Sequence, residues 1–324
     1  MRIAVVLTCC GALVGVTAFD AAYAQDAFPS RIVQIVVPYT PGTTADILAR
    51  LVAPKLAERW KVGVITDNRP GATGSIGIAA VAKGPPDGHS ILFVPSSYTM
   101  IPALYRTLPY DPVKSLAPIG LIATGTLALV VHAQLPARSM RELVELAKRR
   151  PGELLYASPG NGSAQHLAME LLKLETHTDL VHVPYKGLAP AMTDLVGGHV
   201  QVMISSFQTV QPHVMSGRLR MLAVTGARRS PVLPAVPTIR EQGWPQLEMD
   251  SWYGALAPTA TPAPIVSRLN ADLAWSLQQT DVRDQIEKQG MSPGMTSPDQ
   301  FAAIIRQELG RWARVVANAR IKLD

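Results

Sequence analysis

Three segments of this 324-residue chain place glycine and hydroxyl side chains directly ahead of an apolar, helix-like stretch: Tyr39-Thr40-Pro41-Gly42-Thr43-Thr44, Ser158-Pro159-Gly160-Asn161-Gly162-Ser163 and Tyr185-Lys186-Gly187-Leu188-Ala189. Ser96-Ser97-Tyr98 and Ser205-Ser206-Phe207 repeat the theme more weakly. Glycine exposes backbone N–H groups, and a helix N-terminus adds unpaired donors and the positive end of its dipole, so each segment can cradle an anion. One such turn is an ordinary cap; its repetition is what points to a ligand. Lys186 is the only cation in the three main segments, and fixed neutral donors suit a carboxylate. A nucleotide fits less well. Gly71-Ala72-Thr73-Gly74-Ser75-Ile76-Gly77 has the wrong spacing for a dinucleotide turn, and no GxxxxGK sequence occurs.

Other chemistries fare worse. Asp46, three residues after Thr43, reads as a helix cap before it reads as a ligand contact. His166 and Glu170 stand four apart on one helix face but lack a third metal ligand at readable spacing. Ser163 and His166 do not make a nucleophile with an oriented base, and GxSxG, HExxH and paired CxxC patterns are all missing, so no enzyme, metal or cofactor is expected. His177, His182, His199 and His213 show no ligand spacing and read as surface or satisfied residues. Tyr39, Tyr98, Phe207, Trp252 and Tyr253 are candidate pocket walls, Tyr39 the best placed, although aromatics at strand ends are more often core.

The elements that must position these loops alternate. Arg31 to Val37 reads as a strand, followed by a helix whose stripe includes Ile47, Leu51 and Leu56, with Pro54 expected to kink it. Strands at 62–66, 90–95, 127–132, 154–158, 180–184, 200–205, 219–225 and 251–257 alternate with helices at 75–83, 139–150, 163–175, 189–196 and 210–216. The end reads as helical over 263–279, 282–289 and 298–319. This alternation predicts parallel sheets with helices on both faces, where ligands bind at the strand carboxyl ends.

Composition agrees with a globular chain, 48% hydrophobic and 17% charged, of about two domains. Its 27 prolines are scattered and act as punctuation. The net charge of +6 comes with no basic cluster longer than Lys148-Arg149-Arg150, which argues against nucleic acid as a partner. Arg2, the apolar run Ile3 to Phe19 and Ala22-Tyr23-Ala24 read as a secretory signal peptide cut near Ala24, predicting a periplasmic, soluble mature protein. Cys9 and Cys10 fall inside that leader, so no disulfide or cysteine nucleophile is expected.

The ordered set of short motifs resembles the Bug receptors, the extracytoplasmic solute receptors of tripartite tricarboxylate transporters. It runs through Phe28-Pro29-Ser30-Arg31, Val37-Pro38-Tyr39-Thr40-Pro41-Gly42 with Asp46 and Ala49-Arg50, and Asn68-Arg69-Pro70-Gly71-Ala72 with Ile76-Gly77. It continues through Val81-Ala82-Lys83, Pro86-Asp87-Gly88-His89, Tyr156-Ala157-Ser158, Gly160-Asn161-Gly162-Ser163 with His166, and Tyr185-Lys186-Gly187 with Ala189-Pro190-Ala191 and Asp194-Leu195. The resemblance implies a type II periplasmic-binding-protein fold, two α/β lobes with a ligand cleft between them. It also implies that the solute's carboxylate is held by residues 39–44 of one lobe and 158–163 of the other, with 185–189 beside them and ordered waters helping. The chain departs from the family pattern at Thr43 and Thr73, where the family usually has glycine, and Thr43 should either narrow the pocket or add a donor.

Together these readings predict lobe I from residues 25–126 and 227–324 and lobe II from 127–226. The expected ligand set is Tyr39, Thr40, Gly42, Thr43, Thr44, Ser96, Ser97, Ser158, Gly160, Asn161, Gly162, Ser163, His166, Tyr185, Lys186, Gly187, Ala189, Ser205 and Phe207. The expected solute is a small organic anion: a mono- or dicarboxylate, an aromatic acid or an acidic amino acid. A monomer would deliver it to one small and one large integral membrane transporter subunit; the competing expectation is a ligand-sensing co-receptor for a two-component sensor kinase.

Overall fold

The computed structural model describes residues 28–230, 233–319 and 321; the leader and cleavage site expected from the sequence lie outside them. The chain runs β1 (Val33–Val37), α1 (Thr44–Trp60), β2 (Val64–Asn68), α2 (Ser75–Ala82), β3 (Ser90–Pro95), α3 (Ile101–Leu104) and the long β4 (Leu116–His132). There follow α4 (Met140–Arg149), β5 (Leu155–Ser158), α5 (Ala164–Thr176), β6 (Val181–Pro184), α6 (Leu188–Gly197), β7 (Val202–Ser206), α7 (Phe207–Met215) and β8 (Leu219–Val224). The last elements are β9 (Asp250–Pro258), α8 (Ala263–Leu277), α9 (Thr280–Lys288), β10 (Met291–Pro293) and α10 (Pro298–Ala319).

The strands form two sheets that share β4. Its first part pairs with β9 from Leu116↔Pro258 to Thr126↔Asp250, and β9 in turn joins β3 in the order β2-β1-β3-β9-β4. From Leu127 onward β4 pairs instead with β7 and β8, and β7 leads to β5 and β6. The sheets are mixed rather than purely parallel. β1 with β2 and β3, and β5 with β6 and β7, are parallel, whereas β8, β9 and β10 run antiparallel to β4.

Helices cover both faces of each sheet, which is why the strands read as nearly unbroken apolar runs. In β1, Val33, Ile35 and Val37 point toward α1 and α8, while Val36 points to the opposite core with Ile78 of α2 and Phe301 of α10. Leu129 and Val131 face one core of the second sheet and Ala128 and Val130 the other. Two segments tie the halves together besides β4. Ile239, Leu247 and Met249, ahead of β9, pack into the second sheet's core, and α10 places Phe301 and Ile305 in the first sheet's core but Trp312, Val315 and Val316 in the second's. Pro54 sits within α1, which continues unbroken to Trp60.

Candidate functional site

The loop after β1 is fastened by its own polar groups. Gly42 N–H donates to Asp46 Oδ2 at 2.9 Å, Arg50 Nε reaches the same carboxylate at 3.0 Å, Arg50 Nη2 donates to Asn68 Oδ1 at 3.0 Å, and Asn68 Nδ2 returns to the Tyr39 carbonyl at 3.0 Å. Asp46 is therefore the anchor of this loop. Burial alone would raise its carboxyl pKa, but Arg50, the Gly42 N–H and Asn68 outweigh that and hold it below the ordinary value. Thr43, at the N-cap, turns its hydroxyl back to the Thr40 carbonyl at 3.1 Å, so its side chain is spent inside the loop.

The Gly-Ser loop after β5 is held in a comparable way. Ser163 Oγ caps α5 by accepting from His166 N–H at 3.3 Å, and His166 Nδ1 accepts from Gly162 N–H, one residue ahead of the cap, at 3.0 Å. Ser158 Oγ meets His182 Nε2 at 2.6 Å, and His182 stacks on His166 with ring centroids 3.9 Å apart. Burial, with the neighbouring His166, pushes the His182 pKa down to about 4, and burial lowers His166 too, so both rings stack uncharged near neutral pH. Glu170 is occupied by the Tyr156 hydroxyl at 2.5 Å and by Lys173 at 2.7 Å. The Ser163 hydroxyl thus faces a backbone N–H and not an imidazole, and among the described residues no three His, Cys, Asp or Glu side chains gather to hold a metal. Ser163→Ala is expected to cost about 1 kcal/mol of stability, a few degrees in a thermal melt, as the loss of an N-cap does. An unchanged melt would show that the cap contributes nothing.

The helix N-termini converge on a polar cavity between the two sheets. One compartment, of 260 Å³, is lined by Thr44 at the start of α1, Ser96 and Ser97 after β3, Ala164 and Gln165 at the start of α5, Ser206 ahead of α7, Asp250, Ser251 and Tyr253 on β9, and Glu308 and Trp312 on α10. A second, of 140 Å³, shares Thr44, Ser206, Ser251 and Tyr253 with it and adds Thr126, Gln208, Thr209 and Gln289. Three helix starts, one from the first half and two from the second, therefore meet one space, each with the donor-rich end that favours an anion.

Of the residues expected from sequence, Thr44, Ser96 and Ser97 line this cavity. Tyr39 stands behind it, its hydroxyl 3.0 Å from Ser97 Oγ. Thr40, Gly42, Thr43, Gly160, Asn161, Gly162 and Ser163 form the loops leading to the helix starts and are not in its lining, and Ser158 and His166 are buried beneath their loop. In the Tyr185 to Ala189 segment, the Tyr185 hydroxyl donates to Asp194 at 2.7 Å, Lys186 is exposed, and Ala189 lines a separate groove between α6 and α7. Ser205 is fully buried, because strand alternation turns it to the face opposite Ser206, and Phe207 packs in the core beneath α7 while edging an adjoining compartment of 700 Å³ lined by Thr126, Arg228, Arg229 and Asp250. Tyr253, a candidate wall from the sequence, lines both compartments, whereas Trp252 beside it is buried in the core. Gln165, Gln208, Thr209, Asp250, Ser251 and Glu308 went unanticipated: the first three lie inside the first turns of α5 and α7, just past the loops the sequence points to, and the others are on β9 and α10, which are not strand-to-helix turns.

Two α/β sheets joined by a continuous strand, with a polar cavity where their helix starts meet, define a solute-binding protein of the periplasmic type. Comparison with known proteins agrees. Residues 48–321 match the model of the tripartite tricarboxylate transporter family receptor. The chain is 35% identical to protein BugT of Bordetella pertussis, with all of both chains covered. Among solved structures it is similar to an R. palustris protein solved with adipate (38% identity, TM-score 0.75, covering 91% of this chain and 99% of that one). It is also similar to MatC of Rhodopseudomonas palustris with bound malate (31% identity, TM-score 0.73, covering 89% and 100%). The chain belongs to the tripartite tricarboxylate transporter receptor family, whose members include periplasmic binding proteins.

Proposed function

We propose that this protein is a periplasmic receptor that captures a small carboxylate-bearing solute in the cavity between its sheets and delivers it to a small and a large membrane permease subunit. The observation that carries the reading is the convergence of the α1, α5 and α7 starts, from both halves, on two compartments without a lysine, arginine or histidine in their lining, while the adjoining compartment of 700 Å³, sharing Thr126 and Asp250 with them, adds Arg228 and Arg229. Neutral donors and dipoles fixed by the fold can hold a carboxylate there at little cost in desolvation. The adipate and malate of the two R. palustris structures are solutes of this chemistry.

The protein would work as a monomer whose two lobes meet at β4. We place the outward crossing at 126/127, the boundary read from the sequence, where β4 leaves β9 for β7. We place the return crossing at Met249/Asp250 rather than at 226/227, because Ile239, Leu247 and Met249 pack with the second sheet. Closure follows from differential affinity: only a closed arrangement brings the α1 start and the α5 and α7 starts to one solute together. The sequence reading of a signal peptide cut near Ala24 completes the route to the periplasm.

The test is calorimetric titration of the mature chain, unfolded and refolded to strip bound solute, against small mono-, di- and amino-carboxylates. Specific binding by one of them is expected, and Ser206→Ala should weaken it by about 1 kcal/mol, or several-fold in Kd. A folded protein that binds no carboxylate of the panel overturns the reading.

A further inference from the structure

The two ends of the cavity are closed in different ways, and in a solute receptor, the reading on which this inference rests, the difference decides where the molecule opens. At one end stands α10, with Glu308 and Trp312 in the lining. Its Trp312, Val315 and Val316 are buried together with Leu167, Leu171 and Leu172 of α5, and Arg314 Nη2 reaches Glu175 of α5 at 3.4 Å. Phe301 and Ile305 of the same helix belong to the first sheet's core. α10 therefore joins the halves by apolar burial, which parting them would return to water.

At the other end the halves meet through one side chain. Gln208, in the first turn of α7, donates from Nε2 to the Gln289 carbonyl, in the turn between α9 and β10. α7 packs on the second sheet through Val210, and α9 on the first through Val282 and Ile286. The Gln208 side chain crosses Gly290, where a Cβ would meet its Cγ at 2.6 Å and its Cδ at 3.0 Å. Gly290 takes a left-handed φ of 67° and donates its N–H to the Glu287 carbonyl at 2.8 Å. A glycine at 290 is thus what lets the two halves come this close.

The contact also stands between two spaces. Gln208 and Gln289 line the 140 Å³ compartment, their neighbours Phe207 and Gly290 line the 700 Å³ one, and both spaces run along Gly125, Thr126 and Met291. It is easily given up as well. The hydrogen bond is exposed to solvent, and Gln208 Oε1 is buried and accepts from no donor among the described residues. In water both ends of the amide would be paired, so parting this contact costs little.

We propose that Gln208 is the latch of solute capture. The halves turn about the α10 side and part where Gln208 crosses Gly290, which opens the inner compartment into the larger one; the contact re-forms once a solute is inside. The opposite motion, parting at α10, would expose Trp312, Val315 and Val316 and is far costlier.

The experiment uses the refolded mature chain carrying Gln208→Cys and Gly290→Cys, with three- to six-carbon mono-, di- and amino-carboxylates as probes. The native cysteines, Cys9 and Cys10, lie in the expected leader, so no other thiol competes. A Cβ at 290 stands beside Gln208 Cγ, the place a cysteine sulfur at 208 would take, so oxidation should cross-link the pair. A probe bound before oxidation should stay bound through gel filtration and leave on reduction, and protein oxidised while empty should take up none. Gln208→Ala alone should release its probe about fivefold faster with the association rate unchanged. Cross-linked protein that exchanges probe as fast as its reduced form would overturn the latch and keep the carboxylate reading. So would cysteines that fail to cross-link in folded protein, or an unchanged release rate in Gln208→Ala. Failure of the folded parent to bind any probe would overturn both.

Discussion

Chemical denaturation of the Asp272→Ala protein should find it about 3 kcal/mol less stable than the parent. Asp272, in α8, has only 1% of its side chain exposed. It receives Trp60 Nε1 at 2.6 Å, Arg59 Nε at 2.5 Å and Arg268 Nε at 2.5 Å. The carboxylate thereby clamps the end of α1 to α8, over the same core that supports β1 and the first cavity loop. Alanine leaves the Trp60 N–H buried without an acceptor and removes the counter-charge of two guanidiniums. Both arginines are more than a third exposed, which screens their share and sets the expectation at the lower end for a broken buried pair. Burial acts to raise the Asp272 pKa, but the Trp60 N–H and the two arginines override it and hold the carboxyl below its ordinary value. Its stabilisation is therefore complete above the unfolded carboxyl's pKa of about 4, is lost as pH falls through the lower folded value, and should make the parent more acid-sensitive than the variant. A loss under 1 kcal/mol at neutral pH would mean that the clamp contributes little.

Gly254→Ala should be as damaging, at about 3 kcal/mol or more, because the position has no room for a methyl group. Gly254 lies on β9 directly beneath the Phe301 ring, and a Cβ there would overlap it, with Phe301 Cε1 only 2.6 Å away. Phe301 is itself fully buried and held edge-on by Trp252 at a centroid distance of 5.2 Å, so the ring cannot swing aside cheaply. The strain would fall on the strand that carries Ser251 and Tyr253 to the cavity, and solute affinity should drop with stability. Shrinking the ring in Gly254→Ala/Phe301→Leu should recover part of the loss, a positive coupling measured by a double-mutant cycle. Simple additivity of the two costs would show that the ring and the glycine do not oppose each other.

The alternation of strands and helices was legible because each strand is covered on both faces and so reads as an apolar run; β3 matches its expected bounds of Ser90 to Pro95. The first part of β4 was not, since Pro118, Gly120 and Gly125 interrupt it and its register shifts twice against β9. The loop residues were legible as anion-binding turns, yet several of their hydroxyls serve the loops themselves. Thr43 returns to Thr40, Ser163 caps α5, and Ser158 pairs with His182. A sequence shows that a side chain can donate and does not show that a neighbour has already claimed it. Asp250 and Glu308 were hidden for the opposite reason: 58 residues separate them, on a crossing strand and a terminal helix, and only the packing of α10 across both cores brings them to one wall. Thr73, where the resemblance implied glycine, adopts a left-handed backbone, φ 55°, with its hydroxyl 2.6 Å from that of Tyr105.

Strand β9 belongs between β3 and β4, although more than a hundred residues separate it from either. During synthesis, N-terminus first, the edge of β3 therefore has no native partner until Asp250–Pro258 follows, and α10 comes later still to cover the same sheet. Pairings this distant in sequence form slowly and late. For the exported receptor proposed above, this leaves the nascent chain incomplete, and so still threadable through a translocation pore, until most of it has been made.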